Sequence, residues 1–184
     1  MDQKQSRTSI EQISQYEEKL SVVRAEIATR DLLPLRVGPP PQVYAGPPQH
    51  QLDQLPTQAQ WQALRAELNA WGTAVLRPSR RSVPGTLGLH LPDHDERSTS
   101  PECFLLDSEF AHHHPNSDGG MHLVLPPEWH SAAIEKGWAI PHPMAGQPTI
   151  SPWIVLVYAP RNETERRVAL RLIDVAERFA RGKT

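Results

Sequence analysis

The chain opens on a narrow apolar seam. Ile10, Ile13, Tyr16, Leu20, Val23 and Ile27 recur at spacings of three and four with polar residues between them, which predicts an amphipathic helix over residues 8–30. Thr8 with Glu11, or Ser9 with Gln12, can form a capping box at its start. The periodicity then stops. Residues 31–56 hold seven prolines, including Pro39-Pro40-Pro41 and Pro47-Pro48. Proline fixes φ and removes a donor, so this stretch is expected to be an extended linker or a strap over the surface. Helical spacing returns over residues 57–71, where Trp61, Leu64, Leu68 and Trp71 share a face behind Thr57, a suitable cap. Gly72 closes this helix, and Thr73 to Leu76 reads as a short strand. Residues 77–102, rich in Pro, Gly, Ser and charge, read as irregular.

From Cys103 the pattern tightens. Cys103 to Leu106 reads as a short apolar strand and Glu109 to His114 as another. Pro115 to Gly120 has turn composition, and Met121 to Leu125 is the return strand of a hairpin. Pro126-Pro127 starts a helix that Gly137 stops. Residues 138–152 read as a loop with four prolines. Trp153 to Tyr158 is apolar without alternation, as expected of a strand covered on both faces. The last helix has Asn162 as cap, Glu163 and Glu165 in its first turn, and a stripe of Val168, Leu172, Val175 and Phe179. These elements predict an α+β fold: a small, mostly antiparallel sheet with the C-terminal helix packed on it. The expected division is an amphipathic helix over 1–30, a Pro-rich strap over 31–56 and one α+β domain over 57–184.

Charge narrows the function classes. The 184 residues carry 19 Lys+Arg against 21 Asp+Glu, a formal net charge of −2. That balance argues against nucleic-acid binding by bulk charge. No stretch approaches the ~18 apolar residues of a membrane span, and Met1 to Arg7 lacks the apolar core of a signal peptide, so a cytoplasmic location without an integral membrane segment is expected. The single cysteine, Cys103, excludes an internal disulfide and cysteine-rich zinc sites, and reads as a small core residue. The N-terminal seam docks on its own chain or pairs two copies as a homodimer.

Histidine changes the picture most. Six of the nine histidines fall between residues 112 and 142, whereas His90 and His94 read as ordinary surface residues. Strand alternation puts His112 and His114 on one face and His113 on the other. If His114 faces Gly120, His112 faces His122 across the ladder, about 4.5–5.5 Å away. His142 can join from the following loop, and Asp118 can orient a ring. Such a cluster can serve as general base and substrate site with no cofactor. It can equally hold a divalent metal such as Fe or Zn on His112, His114 and His122, and two histidines with Asp118 would imitate a facial triad. A surface tract without a role is the plain alternative. Trp138, Trp153 and Met144 can supply a flat apolar wall, and Arg161 can hold an oxyanion.

In order along the chain stand Ala111-His112-x-His114, Asp118, Met121-His122-Leu123 with Leu125, and Lys136-Gly137-Trp138. His142-Pro143-x-Ala145-Gly146 and Tyr158-Ala159-Pro160-Arg161-Asn162-Glu163 follow. Over residues 109–180 this series resembles the luciferase domain of fungal luciferases and their non-luminous relatives. The resemblance implies an oxygenase that adds molecular oxygen to a small enolic substrate, 3-hydroxyhispidin in the fungal case. The endoperoxide then loses carbon dioxide and leaves an excited product. The positions it carries over are His112, His114, Asp118, His122, His142 and Arg161. Two departures stand out: fungal luciferases begin with a membrane helix where this chain has a polar one, and they carry a further turn histidine where this chain reads Asn116-Ser117. The expected partners are a small molecule and oxygen. A non-catalytic metal- or ligand-binding module using the same histidines is the alternative, and a structural domain dimerising through residues 10–27 is a third.

Overall fold

The computed structural model describes residues 32–44, 46–114 and 118–183. The N-terminal seam helix, the homodimer expected from it, and positions 115–117 of the hairpin turn lie outside the described residues.

A six-stranded antiparallel sheet carries the fold. Its strands are β3 (Val75–Pro78), β4 (Leu87–His90), β5 (Glu109–His113), β6 (Met121–Val124), β7 (Ala139–Pro141) and β8 (Ile154–Val157), in the order β3-β4-β5-β6-β8-β7. The two-residue strands β1 (Val43–Tyr44) and β2 (His50–Gln51) form a separate small hairpin within the proline-rich strap. Three helices among the described residues accompany the sheet: α1 (Gln58–Asn69), α2 (Pro127–Glu135) and α3 (Glu163–Ala180). The fold is α+β, with α3 packed on β5 and β6.

The helices start where local chemistry directs. Thr57 and Gln60 form a reciprocal capping box on α1, and Asn162 accepts from the Glu165 backbone N–H on α3. Glu163 and Glu165 complement the positive N-terminal end of α3. Val168, Leu172, Ile173 and Ala176 of α3 meet Leu64 and Leu68 of α1 and Ala111, Leu123, Val155 and Val157 of the sheet in one apolar core.

Four expectations require correction. Cys103 to Leu106 is not a strand: Pro101–Cys103 forms a 3-10 turn, and only Leu106 pairs, with Glu109. Pro101 sets the first helical position, and Asp107 at φ 55° makes the tight reversal that uses up the rest of the run. The irregular stretch 77–102 contains β4, which lies between β3 and β5 and takes its hydrogen bonds from both. Its sequence Leu-Gly-Leu-His lacks a β-branched signature, so neighbours rather than propensity make it a strand. The loop 138–152 begins as edge strand β7, whose last residue is Pro141, where a missing donor is tolerated. His90 is buried rather than on the surface. As expected, β8 is buried along its whole length, between β6 and β7.

Candidate active site

The site lies on the sheet face away from the apolar core. His114 N–H donates to Gly120 O at 3.0 Å, and His112 stands directly opposite His122. All three imidazoles are buried. His112 Nε2 lies 3.2 Å and His114 Nε2 3.0 Å from His122 Nδ1. His142, from the loop after β7, sets its ring edge-on to His122 with centroids 5.0 Å apart. These four histidines line a cavity of about 160 Å³ together with Gln49, Met144 and Ile154.

A β-bulge supplies the cluster with a carboxylate. Leu89 pairs with Ala111 and His90 with Glu109, which leaves Phe110 as an extra residue in β5. In a regular strand, residues 109 and 112 would face opposite ways. The bulge turns Glu109 so that its Oε1 accepts from His112 Nδ1 at 2.8 Å. Gly88 makes room, since a Cβ there would meet His90 Nε2 at 2.8 Å and Glu109 Cδ at 3.1 Å. Ser79 Oγ donates to the same Glu109 oxygen at 2.7 Å. On the other side, Asp118 accepts from His114 Nδ1 at 3.0 Å and from the backbone N–H groups of Gln51 and Gly120.

These carboxylates are ionised. Burial opposes the charge on both, but the hydrogen bonds they accept outweigh it and hold each below its ordinary range. Burial also holds His112 and His142 below the usual imidazole range and His122 well below it, His122 being further depressed by its three imidazole neighbours.

The strap completes the site. Gln49, 2% exposed, donates from Nε2 to Pro141 O at 3.1 Å, and its Oε1 lies 3.1 Å from His122 Nε2. Gln51 Oε1 accepts from Ala159 N–H at 3.0 Å while its own N–H reaches Asp118 at 2.6 Å. Two glutamines therefore pin the strap across the imidazoles. Sequence reasoning missed Gln49, Gln51, Ser79 and Glu109. The only trace was an acidic residue heading the otherwise apolar and histidine-bearing strand β5.

The other expected site residues go elsewhere. Asp118 stands behind His114 rather than in the cavity wall. Trp138 is a core residue whose indole N–H donates to Pro34 O at 2.6 Å. Trp153 packs edge-on against His130, and only Met144 of the proposed flat wall reaches the cavity. Arg161 is bound to Glu165 at 3.0 Å, to Gln54 and to Val37 O, so it fastens the strap to α3 outside the cavity. Cys103 is buried, and burial raises its thiol pKa, as suits a core residue.

An antiparallel sheet with a buried imidazole cluster, backed by carboxylates and closed by a strap, has the form of a small-ligand site. The sequence places it in a more specific setting: a family model described as "Luciferase domain" matches residues 107–176. Over 98 residues the chain is 34% identical to a luciferase of Neonothopanus nambi, covering 52% of this chain and 34% of that one. Luciferases of Armillaria gallica and Armillaria mellea are each 33% identical over the same shares. This chain thus resembles fungal luciferases across its histidine site and spans about a third of the length of these curated relatives. No solved structure matches it. Among the described residues, no helix is long and apolar enough to cross a membrane.

Proposed function

We propose that this chain is a luciferase-like oxygenase that adds molecular oxygen to a small enolic or phenolic substrate, such as a 3-hydroxyhispidin-type pyrone. The supporting observation is the convergence of three ring nitrogens on one wall of a cavity whose lining includes the apolar Pro47, Leu105, Met144, Ile150 and Ile154 as well as the polar Gln49, Arg81 and Ser82. Apolar walls suit the faces of a flat ring, and the nitrogens suit its hydroxyl edge. At about 160 Å³ the cavity takes only the reacting ring. A larger cleft of about 690 Å³ shares Arg81, Leu105 and Ile150 with it and gives a longer arm a way out.

The chemistry begins with ionisation. An enol must lose its proton before it reacts readily with oxygen, and a neutral imidazole with its unprotonated nitrogen beside the enol oxygen can take it. In the simplest form a cluster nitrogen accepts the proton, and the imidazolium stays paired with the enolate. The electron-rich carbon then supplies the electrons that form the new C–O bond, and both oxygen atoms remain in the organic peroxide. No external reductant is needed. His142 Nδ1 accepts from Met144 N–H at 3.2 Å, so the proton of the neutral ring sits on Nε2, a donor for developing oxygen charge.

Oxygen uptake by the full chain with 3-hydroxyhispidin and a panel of related pyrones and phenols tests this reading. One oxygen consumed per substrate is expected. No uptake across the panel, with ligand still bound, would make the chain a non-catalytic binding module.

A further inference from the structure

The hydrogen-bond partners assign every proton around the three central imidazoles. Glu109 and Asp118, as carboxylates, can only accept, so His112 and His114 each carry their proton on Nδ1. Pro141 O also can only accept, which turns the Gln49 amide so that its Oε1 faces His122. His122 therefore carries its proton on Nε2. Each ring is left with one unprotonated nitrogen: Nε2 of His112, Nε2 of His114 and Nδ1 of His122. These are the three atoms that approach one another, at 3.0 Å and 3.2 Å across His122 and within 4.8 Å for all three. Three lone pairs aimed at one point repel unless positive charge lies among them.

The spacing admits a metal ion. Two imidazole nitrogens at about 2.0–2.1 Å from one ion, with angles between octahedral and tetrahedral, lie about 2.9–3.4 Å apart. Both distances across His122 fall in that range. Glu109 and Asp118, 0% and 1% exposed, stand directly behind two of the three rings. The outer shell also has the expected form, since metal-bound imidazoles commonly donate their other N–H to a carboxylate or carbonyl oxygen.

We propose that His112 Nε2, His114 Nε2 and His122 Nδ1 bind a divalent first-row transition metal of the class that favours imidazole, such as Zn, Fe, Ni or Cu, with its open position facing the cavity. The inference rests on the oxygenase reading only for the ion's use. There, a bound cation would favour release of the enol proton to solvent and would hold the substrate as its enolate beside the three rings. Gln49, Glu109 and Asp118 act as positioning residues that fix the three tautomers.

Metal analysis and cobalt titration of the untagged full chain test the site without substrate. Protein purified without chelator is expected to carry about one equivalent of a first-row metal per chain. After stripping, Co²⁺ is expected to bind one-to-one with visible ligand-field bands. His122→Ala should abolish those bands, and Glu109→Gln should weaken binding about 10–100-fold. Circular dichroism separates a lost site from a lost fold. If His122→Ala unfolds, the wild-type stoichiometry and Glu109→Gln still decide. A folded, stripped wild type with no saturable cobalt band overturns the proposal, as does a band undiminished in folded His122→Ala. Metal bound without oxygen uptake supports the site and sinks the oxygenase reading. Oxygen uptake by a stripped chain that binds no cobalt keeps the oxygenase and overturns the ion.

Discussion

His112 and His113 are consecutive in the chain and both buried, yet they stand in opposite surroundings. His112 is hydrogen-bonded to Glu109 and meets His122 across the ladder. His113 projects from the other side of β5 toward α1, where its ring packs at 5.8 Å from that of Trp61 and its Nε2 has no hydrogen-bond partner among the described residues. Burial above all, with His114 beside it opposing a second positive charge, pushes His113 down to about 4. One face of the strand thus treats imidazole as a polar group to be oriented, and the other treats it as filling. A run of three histidines is two chemistries, and the pleat separates them.

The sharpest way to break this comparison is to remove each face in turn. His112→Ala with His114→Ala should lower kcat/KM for oxygen uptake about a thousand-fold, the middle to upper range of lost acid–base assistance. His113→Leu should leave uptake within about two-fold. Equal losses in steady-state assays would show that the two faces are not distinct.

A smaller effect concerns stability. His113 has a folded-state pKa near 4, below the ordinary value of 6.5, so the unfolded chain binds the extra proton first. Its contribution is fully present above pH 6.5 and is lost as pH falls toward 4, a change of about 3 kcal/mol. Urea melts across that window, run with chelator present, should show this slope in the wild type. His113→Leu should make it shallower, the rest coming from the depressed His112, His122 and His142, and should gain about 1 kcal/mol near neutrality by removing an unpaired polar atom. An unchanged slope would place the titration elsewhere.

The orienting residues come next. Asp118→Asn should cost about 10–100-fold in oxygen uptake with far-ultraviolet circular dichroism intact, because an amide no longer requires the His114 proton on Nδ1. Gln49→Ala should cost about ten-fold, the smallest effect, since solvent can replace its contact to His122 Nε2 but holds it less well. Gln49→Glu keeps an acceptor toward His122 Nε2 and should lose less than Gln49→Ala; an equal loss would show that this acceptor does not set the tautomer.

Much of this arrangement was legible residue by residue. The pairing of His112 with His122 followed from period-two alternation and a hairpin anchored at His114 and Gly120. Thr57, Asn162 and the stripe through Val168 and Leu172 announced α1 and α3 by their caps and spacing. Strand β4 was illegible because Leu-Gly-Leu-His has no pattern of its own. Glu109 was illegible as a partner of His112 because only a bulge brings positions three apart to one side of a strand. Trp138 and Arg161 looked chemically apt, but their polar atoms are committed to Pro34, Glu165, Gln54 and Val37.

The sequence by itself determined what depends on near neighbours: helix starts, strand faces, and three imidazoles presented together by a short hairpin. Tertiary structure decided what surrounds them. Gln49 reaches His122 across 73 positions and Gln51 reaches Asp118 across 67, and no local rule relates residues so far apart. Those long-range contacts, with the bulge at Phe110, set which nitrogen of each ring is free. That is a property of packing, since an imidazole's tautomer is chosen by whatever hydrogen-bond partner the fold puts beside it.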